Sequence, residues 1–287
     1  MAVPIVPIAI VALIAAAAAS GSRRRRGSTE IVFEDGDTIT GGGGGGGGGY
    51  TPGAGAGAGP ISSYADMPVP ISEGQALMRE MFFELGLDPM WSMFFEATAL
   101  NESGFNNLRG LGIPGQFPEW AMPNEGASFQ TQQNEADAAK RAYERNKDAL
   151  AECGWPASRY TFGSGGWFAM LPANAVMQAR GSSLKCVDPW DVFDPATSVV
   201  LAIGMARRLQ NWNNFKTVPT FGNLRLGWGN PSRMGKADKL REAKAKSKGF
   251  AARLGELGFD PAYFDAPVTP MPSYDPVAML NYLNSRF

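Results

Sequence analysis

The chain is 287 residues long, carries 26 Lys and Arg against 27 Asp and Glu for a net charge of −1, and has two cysteines and no histidine. A near-zero charge singles out no partner for the chain as a whole. The lack of histidine excludes Ser-His-Asp and Cys-His catalysis and every His-ligated metal site, so any chemistry rests on carboxylates, hydroxyls, Lys, Arg or backbone groups, with no metal and no cofactor implied.

Residues 3–19 are apolar and uncharged, at the lower length limit for crossing a bilayer. A cleaved signal peptide competes with an uncleaved anchor. No basic stretch precedes the run, and Arg23, Arg24, Arg25 and Arg26 follow it. That pattern favours an anchor whose C-terminal side stays in the cytoplasm or inside a virion. Residues 21–71 read as an Arg- and Gly-rich linker. Its glycine run at 41–49 and Gly-Ala alternation at 53–59 have much chain entropy to lose and nothing to bury. A short β-like patch at 30–40 interrupts it.

From Ser72 the pattern is helical. Ser72 with Gln75 forms a capping box, and apolar spacing runs from Ala76 through Leu85 to Gly86. Asp88-Pro89 opens the next helix, and the same pair recurs at Asp194-Pro195 and Asp275-Pro276. Asp188-Pro189 and Asp260-Pro261 start short turns of helix. Few stretches alternate with period two, so the folded part is mainly helical. Residues 134–152 form a polar, alanine-rich helix with i,i+4 pairs; with the looser stretch 109–133 it reads as an inserted excursion. A loop at 161–166, a turn and helix at 167–180, a helix at 195–211, a further element at 217–228, a basic helix at 232–257 and a closing helix at 275–284 follow. The chain thus divides into residues 1–20, 21–71, 72–231 and 232–287. Cys153 and Cys186 are too far apart for a zinc knuckle; thiols are favoured over a disulfide, because two cysteines are not a disulfide framework.

In the helix after Asp88, Trp91, Phe95, Thr98 and Glu102 fall on one stripe. Met90, Phe94 and Leu100 cover neighbouring faces, and a helix apolar nearly all round is buried. Glu102 continues an inward stripe at the helix C-terminus. Desolvation and the negative end of the helix dipole are both expected to keep such a carboxyl protonated, which is the state a general acid needs. A solvated, idle Glu at a fraying helix end is the competing reading.

The stretch ALNESGFN at 99–106 resembles the first motif of the soluble lytic transglycosylase (SLT) family, the goose-type-lysozyme-like glycoside hydrolases, in which a Glu-Ser pair closes a helix. GWFAMLPANA at 166–175 resembles the family's Gly-Leu-Met-Gln-Leu-Met-Pro-Ala-Thr-Ala, and residues 199–209 resemble its Ala-Gly-rich helix. The resemblance covers residues 72–231. It implies an all-α, lysozyme-like domain, here behind an N-terminal membrane helix and a glycine-rich linker. It also implies cleavage of the MurNAc-GlcNAc β-1,4 bond of peptidoglycan with Glu102 as the single acid and base. After protonating the glycosidic oxygen, with the N-acetyl group assisting, Glu102 takes a proton from the muramic C6 hydroxyl or from water. The first outcome is that of a lytic transglycosylase, the second that of a lysozyme.

Two departures stand out. Ala169 replaces the family's Gln near the sugar subsites, and the fourth motif is reduced to residues 226–231, where Trp228 stands for the tyrosine that contacts the acid. Trp167, Phe168 and Trp228 are candidates for stacking on sugars, with the core as their competing place. Ala169 and Met170 line the site through the second motif. Asn106 and Asn230 are candidates for holding N-acetyl groups. Ser103 orients the Glu side chain or the loop. Asp188, Asp191 and Asp194 read as helix caps rather than as a second acid. The segment 233–253 holds eight Lys and Arg against Asp238 and Glu242. A solvated face is the default there, with an anionic wall polymer, a membrane surface or DNA as alternatives; nothing resembles a nucleic-acid motif. The expected partners are the glycan strand, a membrane through residues 3–19, and other virion proteins. A phage particle suits the arginines better than a bacterial envelope. A non-catalytic, glycan-binding or structural protein on the same scaffold is the rival.

Overall fold

The computed structural model describes residues 27–32, 38–43, 61–111, 122–123, 127–154, 163–174, 186–271 and 275–287. The apolar run at 3–19, the arginines at 23–26 and most of the glycine-rich stretch lie outside them. Among the described residues no helix is long and apolar enough to cross a membrane. Inside the expected linker, β1 (Gly27–Val32) pairs antiparallel with β2 (Thr38–Gly43), Ile31 opposite Ile39. The β-like patch is thus a hairpin that draws in the first glycines of the run.

The rest is mainly helical, as the sequence pattern predicts. Helix α1 (Glu73–Glu84) starts where Ser72 accepts from the Gln75 N–H and the Gln75 side chain accepts from the Ile71 N–H. It stops at Gly86, whose φ of 66° allows the Leu87 N–H to close back on Phe82. Asp88 caps α2 (Pro89–Glu102) by accepting from Met90, and residues 90–99 of this helix are all buried. An aromatic cluster surrounds it. Phe94 packs on Trp91, Phe221, Trp228 and Phe250, and Phe95 on Phe82 and Phe168. Each such ring contributes about 1.5–3 kcal/mol by leaving water.

The five Asp-Pro pairs behave as expected. Asp194 caps α4 (Pro195–Gln210), Asp275 caps α9 (Pro276–Arg286), and Asp260 caps a 3-10 turn at Pro261–Asp265. A 3-10 turn at Pro189–Phe193 follows Asp188. Between α2 and α4 lie a three-stranded sheet and α3 (Phe129–Glu152). In the sheet, β3 (Arg109–Leu111) is central, parallel to β4 (Met122–Pro123) and antiparallel to β5 (Ser164–Gly165). After α4 come α5 (Asn213–Lys216), α6 (Phe221–Gly229), α7 (Ala237–Ala245) and α8 (Phe250–Glu256).

Several sequence expectations change. The core does not begin at residue 72 or end at 231. Ile61 and Met67 before that stretch, and Phe250, Leu254, Phe264 and Leu283 after it, belong to one hydrophobic cluster with α2 and α4. The single basic helix expected at 232–257 is a 3-10 turn and two helices, because Gly235 at φ 76° and the turn at 246–249 break it. Within 167–180, residues 167–169 form a turn and 172–174 are helical; residues 175–180 lie outside the described residues. Helix α3 starts five residues earlier than expected, at a Ser128 cap. Cys153 and Cys186 are joined as a disulfide, contrary to the preference for thiols. Sequence spacing hid this, because the fold returns the chain from the end of α3 to a Cα separation of 5.5 Å over 33 residues.

One charged network centres on a fully buried carboxylate. Glu96, in mid-α2, has no exposed surface. Arg79 of α1 donates to both its oxygens (2.9 and 2.7 Å), Gln75 donates at 2.6 Å and Ser92 at 2.9 Å. Arg79 also donates to the Pro68 carbonyl at 2.5 Å, tying the segment before α1 to the helix pair. With four hydrogen bonds on one carboxylate, the charge is balanced where it is buried.

Candidate active site

Glu102 is the last residue of α2, where the inward stripe reaches the edge of the core. Trp91, Phe95 and Thr98 on that stripe are fully buried, while the Glu102 side chain keeps 9% of its surface exposed. The turn after it is demanding. Gly104 (φ 64°) and Phe105 (φ 65°) are both left-handed, a conformation that strains a residue with a Cβ. Phe105 is held there from three sides. Its ring is buried, its carbonyl accepts from Trp167 Nε1 at 3.1 Å, and α1 presses on it through Gly74, where any Cβ would collide with that carbonyl.

The second motif is a hairpin turn. Gly165 and Met170 exchange backbone hydrogen bonds (3.0 and 2.9 Å) around residues 166–169. Neither Gly165 nor Gly166 leaves room for a Cβ: the Phe193 ring blocks the first, and the Val192 carbonyl the second, where φ is 77°. Asn107 joins the two motifs. Its Nδ2 donates to the Phe193 carbonyl, and its Oδ1 accepts from the Trp167 N–H at 3.2 Å. The Gly166 N–H donates to the Arg109 carbonyl at 3.2 Å. The first and second motifs are therefore neighbours.

Glu102 is not the unpartnered carboxyl that its stripe suggests. Arg225, on α6, donates from Nη2 to Glu102 Oε1, and its side chain is 14% exposed. With its amide set to satisfy both neighbours, Asn101 accepts from the same Nη2 at 2.7 Å and donates to the Lys248 carbonyl at 3.0 Å. The partner of Glu102 is thus Arg225, directly before the 226–231 stretch, while Trp228 packs in the aromatic cluster.

A second carboxyl lies within electrostatic reach. Glu135 of α3 is buried, and burial, with the charge of Glu102 adding to it, pushes its pKa up to about 7. Ser164, through its hydroxyl and backbone N–H, pulls the other way. The Ser164 hydroxyl nonetheless falls outside regular hydrogen-bond geometry, so its hold on the carboxyl is weak. Glu135 comes from the supposed excursion, which brings a carboxyl to the site. The sequence offered a sign: Glu135 shares the face of Ala139 and Ala142, both fully buried.

The other expected site residues take these places. Ser103 is buried, and its hydroxyl donates to the Ala99 carbonyl at 3.2 Å. It shapes the helix end and does not bond Glu102. Asn106 accepts from the Leu108 N–H at 3.0 Å in a local turn. Asn230 caps the 3-10 turn at Pro231–Arg233, accepting from Ser232 N and Oγ at 2.9 and 2.8 Å. Trp167 and Phe168 are each 1% exposed and Trp228 8%, all in the core, so none offers a free face to a sugar. Phe168 and Trp228 pack on each other instead. Ala169, half-buried at φ 47°, brings no polar side chain, and Met170 is buried behind the turn. Asp194 caps α4, and Asp191 accepts from the Asp188 N–H at 2.9 Å, in keeping with capping roles. In the basic segment, Glu242 faces Arg233, Lys239 and Lys246 at 3.3–3.6 Å, and Lys244 pairs with Asp265.

The arrangement combines one slightly exposed acidic side chain tied to a guanidinium with one buried carboxyl that keeps its proton to near neutrality. Among the described residues no cluster of Cys, Asp or Glu is placed to hold a metal ion. No family model, curated protein or solved structure matches the chain.

Proposed function

We propose that the chain cleaves the MurNAc-GlcNAc β-1,4 bond of the peptidoglycan glycan strand, with Glu102 as the acid that protonates the leaving oxygen. The observation that carries this reading is the position of Glu102. It closes the central buried helix, and the turn that follows it is tied to the glycine hairpin through Asn107 and the Phe105 carbonyl. The resemblance of residues 99–106, 166–175 and 199–209 to the soluble lytic transglycosylases supports it, and with it a lysozyme-like arrangement of the helices. The anchor reading of residues 3–19 and the arginines after them support a role in a phage particle that opens the wall during genome entry.

Zymography on peptidoglycan tests the reading. The wild type should clear, and folded Glu102→Gln should not. Clearing by both, or by neither across a range of pH, would remove the single-acid proposal. A non-catalytic glycan-binding protein on the same scaffold is the second reading. Two observations favour it: Arg225 occupies Glu102, and Trp167, Phe168 and Trp228 are buried. It predicts that wild type and Glu102→Gln both bind glycan strands and leave them intact.

A further inference from the structure

Helix α3 is set apart from the main core. Among the described residues, none from α3 joins the hydrophobic cluster built on α2 and α4. The C-terminal half of α3 packs instead with residues 171–174 in a small cluster of its own. There Ala142, Leu150 and Ala173 are buried, and Tyr143, Cys153 and Leu171 half-buried. Asn146 adds a hydrogen bond to the Ala173 carbonyl at 3.3 Å. Two alanines and a leucine have little apolar surface to withdraw from water, so this seat is weak by itself. The Cys153–Cys186 disulfide reinforces it. Cys153 caps α3 and belongs to the small cluster, while Val187, directly after Cys186, belongs to the main core. The bond therefore ties the small cluster to the large one. Cys186 is exposed, which leaves the bond open to reductants in solution.

The same helix holds the glycine hairpin at both ends. At the entry, Gly163 lies against α3 so closely that a Cβ there would stand 3.1 Å from Glu135 Cγ. At the exit, residues 171–174 follow Met170 directly and pack on α3. Between the two ends, the Trp167 N–H donates to Asn107 and Trp167 Nε1 to the Phe105 carbonyl, both in the turn after Glu102. Helix α3, the hairpin and the Glu102 turn are thus one series of contacts. We propose that the disulfide is a redox latch on this series. Oxidised, it seats α3 and holds the hairpin against the Glu102 turn. Reduced, it releases α3, and the turn loses part of its support. The inference rests on Glu102 being the acid that cleaves glycan strands. A dithiol reductant opens the latch by exchange. Its thiolate attacks one sulfur of the disulfide and expels the other as a thiolate. Its second thiol then displaces the first. The chain gains two electrons and two protons as a pair of thiols, and the reductant becomes a cyclic disulfide. The site is therefore idle in a reducing compartment and competent in an oxidising one.

The test compares the full chain oxidised and in dithiothreitol, by hydrogen exchange and by the kinetics of glycan-strand cleavage. On reduction, exchange should accelerate in α3 and residues 163–174 by a larger factor than in α2 and α4. Reduction should lower kcat by roughly tenfold, since a small misplacement of the acid is costly, and leave KM nearly unchanged. Both effects should reverse when glutathione disulfide restores the bond. Cys186→Ser should behave as the reduced chain with or without dithiothreitol; if that variant does not fold, the reversible reduction of the wild type decides. Equal acceleration in all four segments, the mark of general destabilisation, overturns the proposal, and so does a kcat that reduction leaves unchanged. If neither redox state cleaves, the function it rests on falls instead, and hydrogen exchange still decides whether the disulfide latches α3.

Discussion

Replacing Glu135 by Gln should alter how stability depends on pH. In the folded protein the Glu135 pKa is raised from 4.5 to about 7 by burial and by Glu102. A carboxyl raised on folding binds its proton more tightly in the native state, so its contribution is full below pH 4.5 and is lost as pH rises through about 7. Each pH unit in that window costs about 1.4 kcal/mol. The separation of about 2.5 units therefore amounts to about 3 kcal/mol, of which about 2–3 kcal/mol falls between pH 5 and pH 8. Asp191 is also raised, to about 6 and mainly by burial, and gives a slope of the same sign. That slope is common to both proteins and cancels in their difference. Urea unfolding of wild type and Glu135→Gln at pH 5, 6, 7 and 8 measures it. The wild type should lose about 2–3 kcal/mol more than the variant over this range. Parallel slopes would mean that Glu135 is already ionised in the folded protein, and the argument from its burial would fall with it.

Three further outcomes follow from the same structure. Arg79→Met leaves Glu96 buried without its guanidinium and should cost about 3–5 kcal/mol, read by urea midpoint; Arg79→Met with Glu96→Gln should recover part of that loss. Asn107→Ala removes one bond from the Glu102 turn to the hairpin, at the Trp167 N–H, and one to the Phe193 carbonyl; it should cost about 1–3 kcal/mol and lower kcat more than it raises KM. Reducing Cys153–Cys186 opens a crosslink spanning 33 residues, and chain entropy alone gives a loss of about 4 kcal/mol, visible as a lower Tm in dithiothreitol.

Local chemistry was legible in the chain. An Asp that accepts from the N–H two or three residues on, followed by Pro, marks a helix start wherever it occurs, and all five pairs here precede helix or 3-10 turn. The burial of α2 was legible from apolar residues on every face. The partners of Glu102 were not. Arg225 lies 123 residues away, and its only local sign is a lone charge in FGNLRLGWG. Glu135 sits in a helix so rich in exposed polar residues that its inward position shows only against the alanines of its own face. Residue type alone left Trp167, Phe168 and Trp228 between sugar platform and core, and burial puts all three in the core, Phe168 and Trp228 against the rings of α2. Glu96 escaped notice because its partners Gln75 and Arg79 come from another helix, and a carboxylate amid Phe and Met reads as an interruption until those partners are seen.

The central claim is that Glu102 breaks the glycan strand, and mass spectrometry of purified strands incubated with the full chain tests it most directly. The account predicts short muramyl fragments from the wild type, either one water lighter as 1,6-anhydro ends or as hydrolysed reducing ends, and intact strands from folded Glu102→Gln. Intact strands from the wild type between pH 4 and 9, or the same fragments from both proteins, would contradict it.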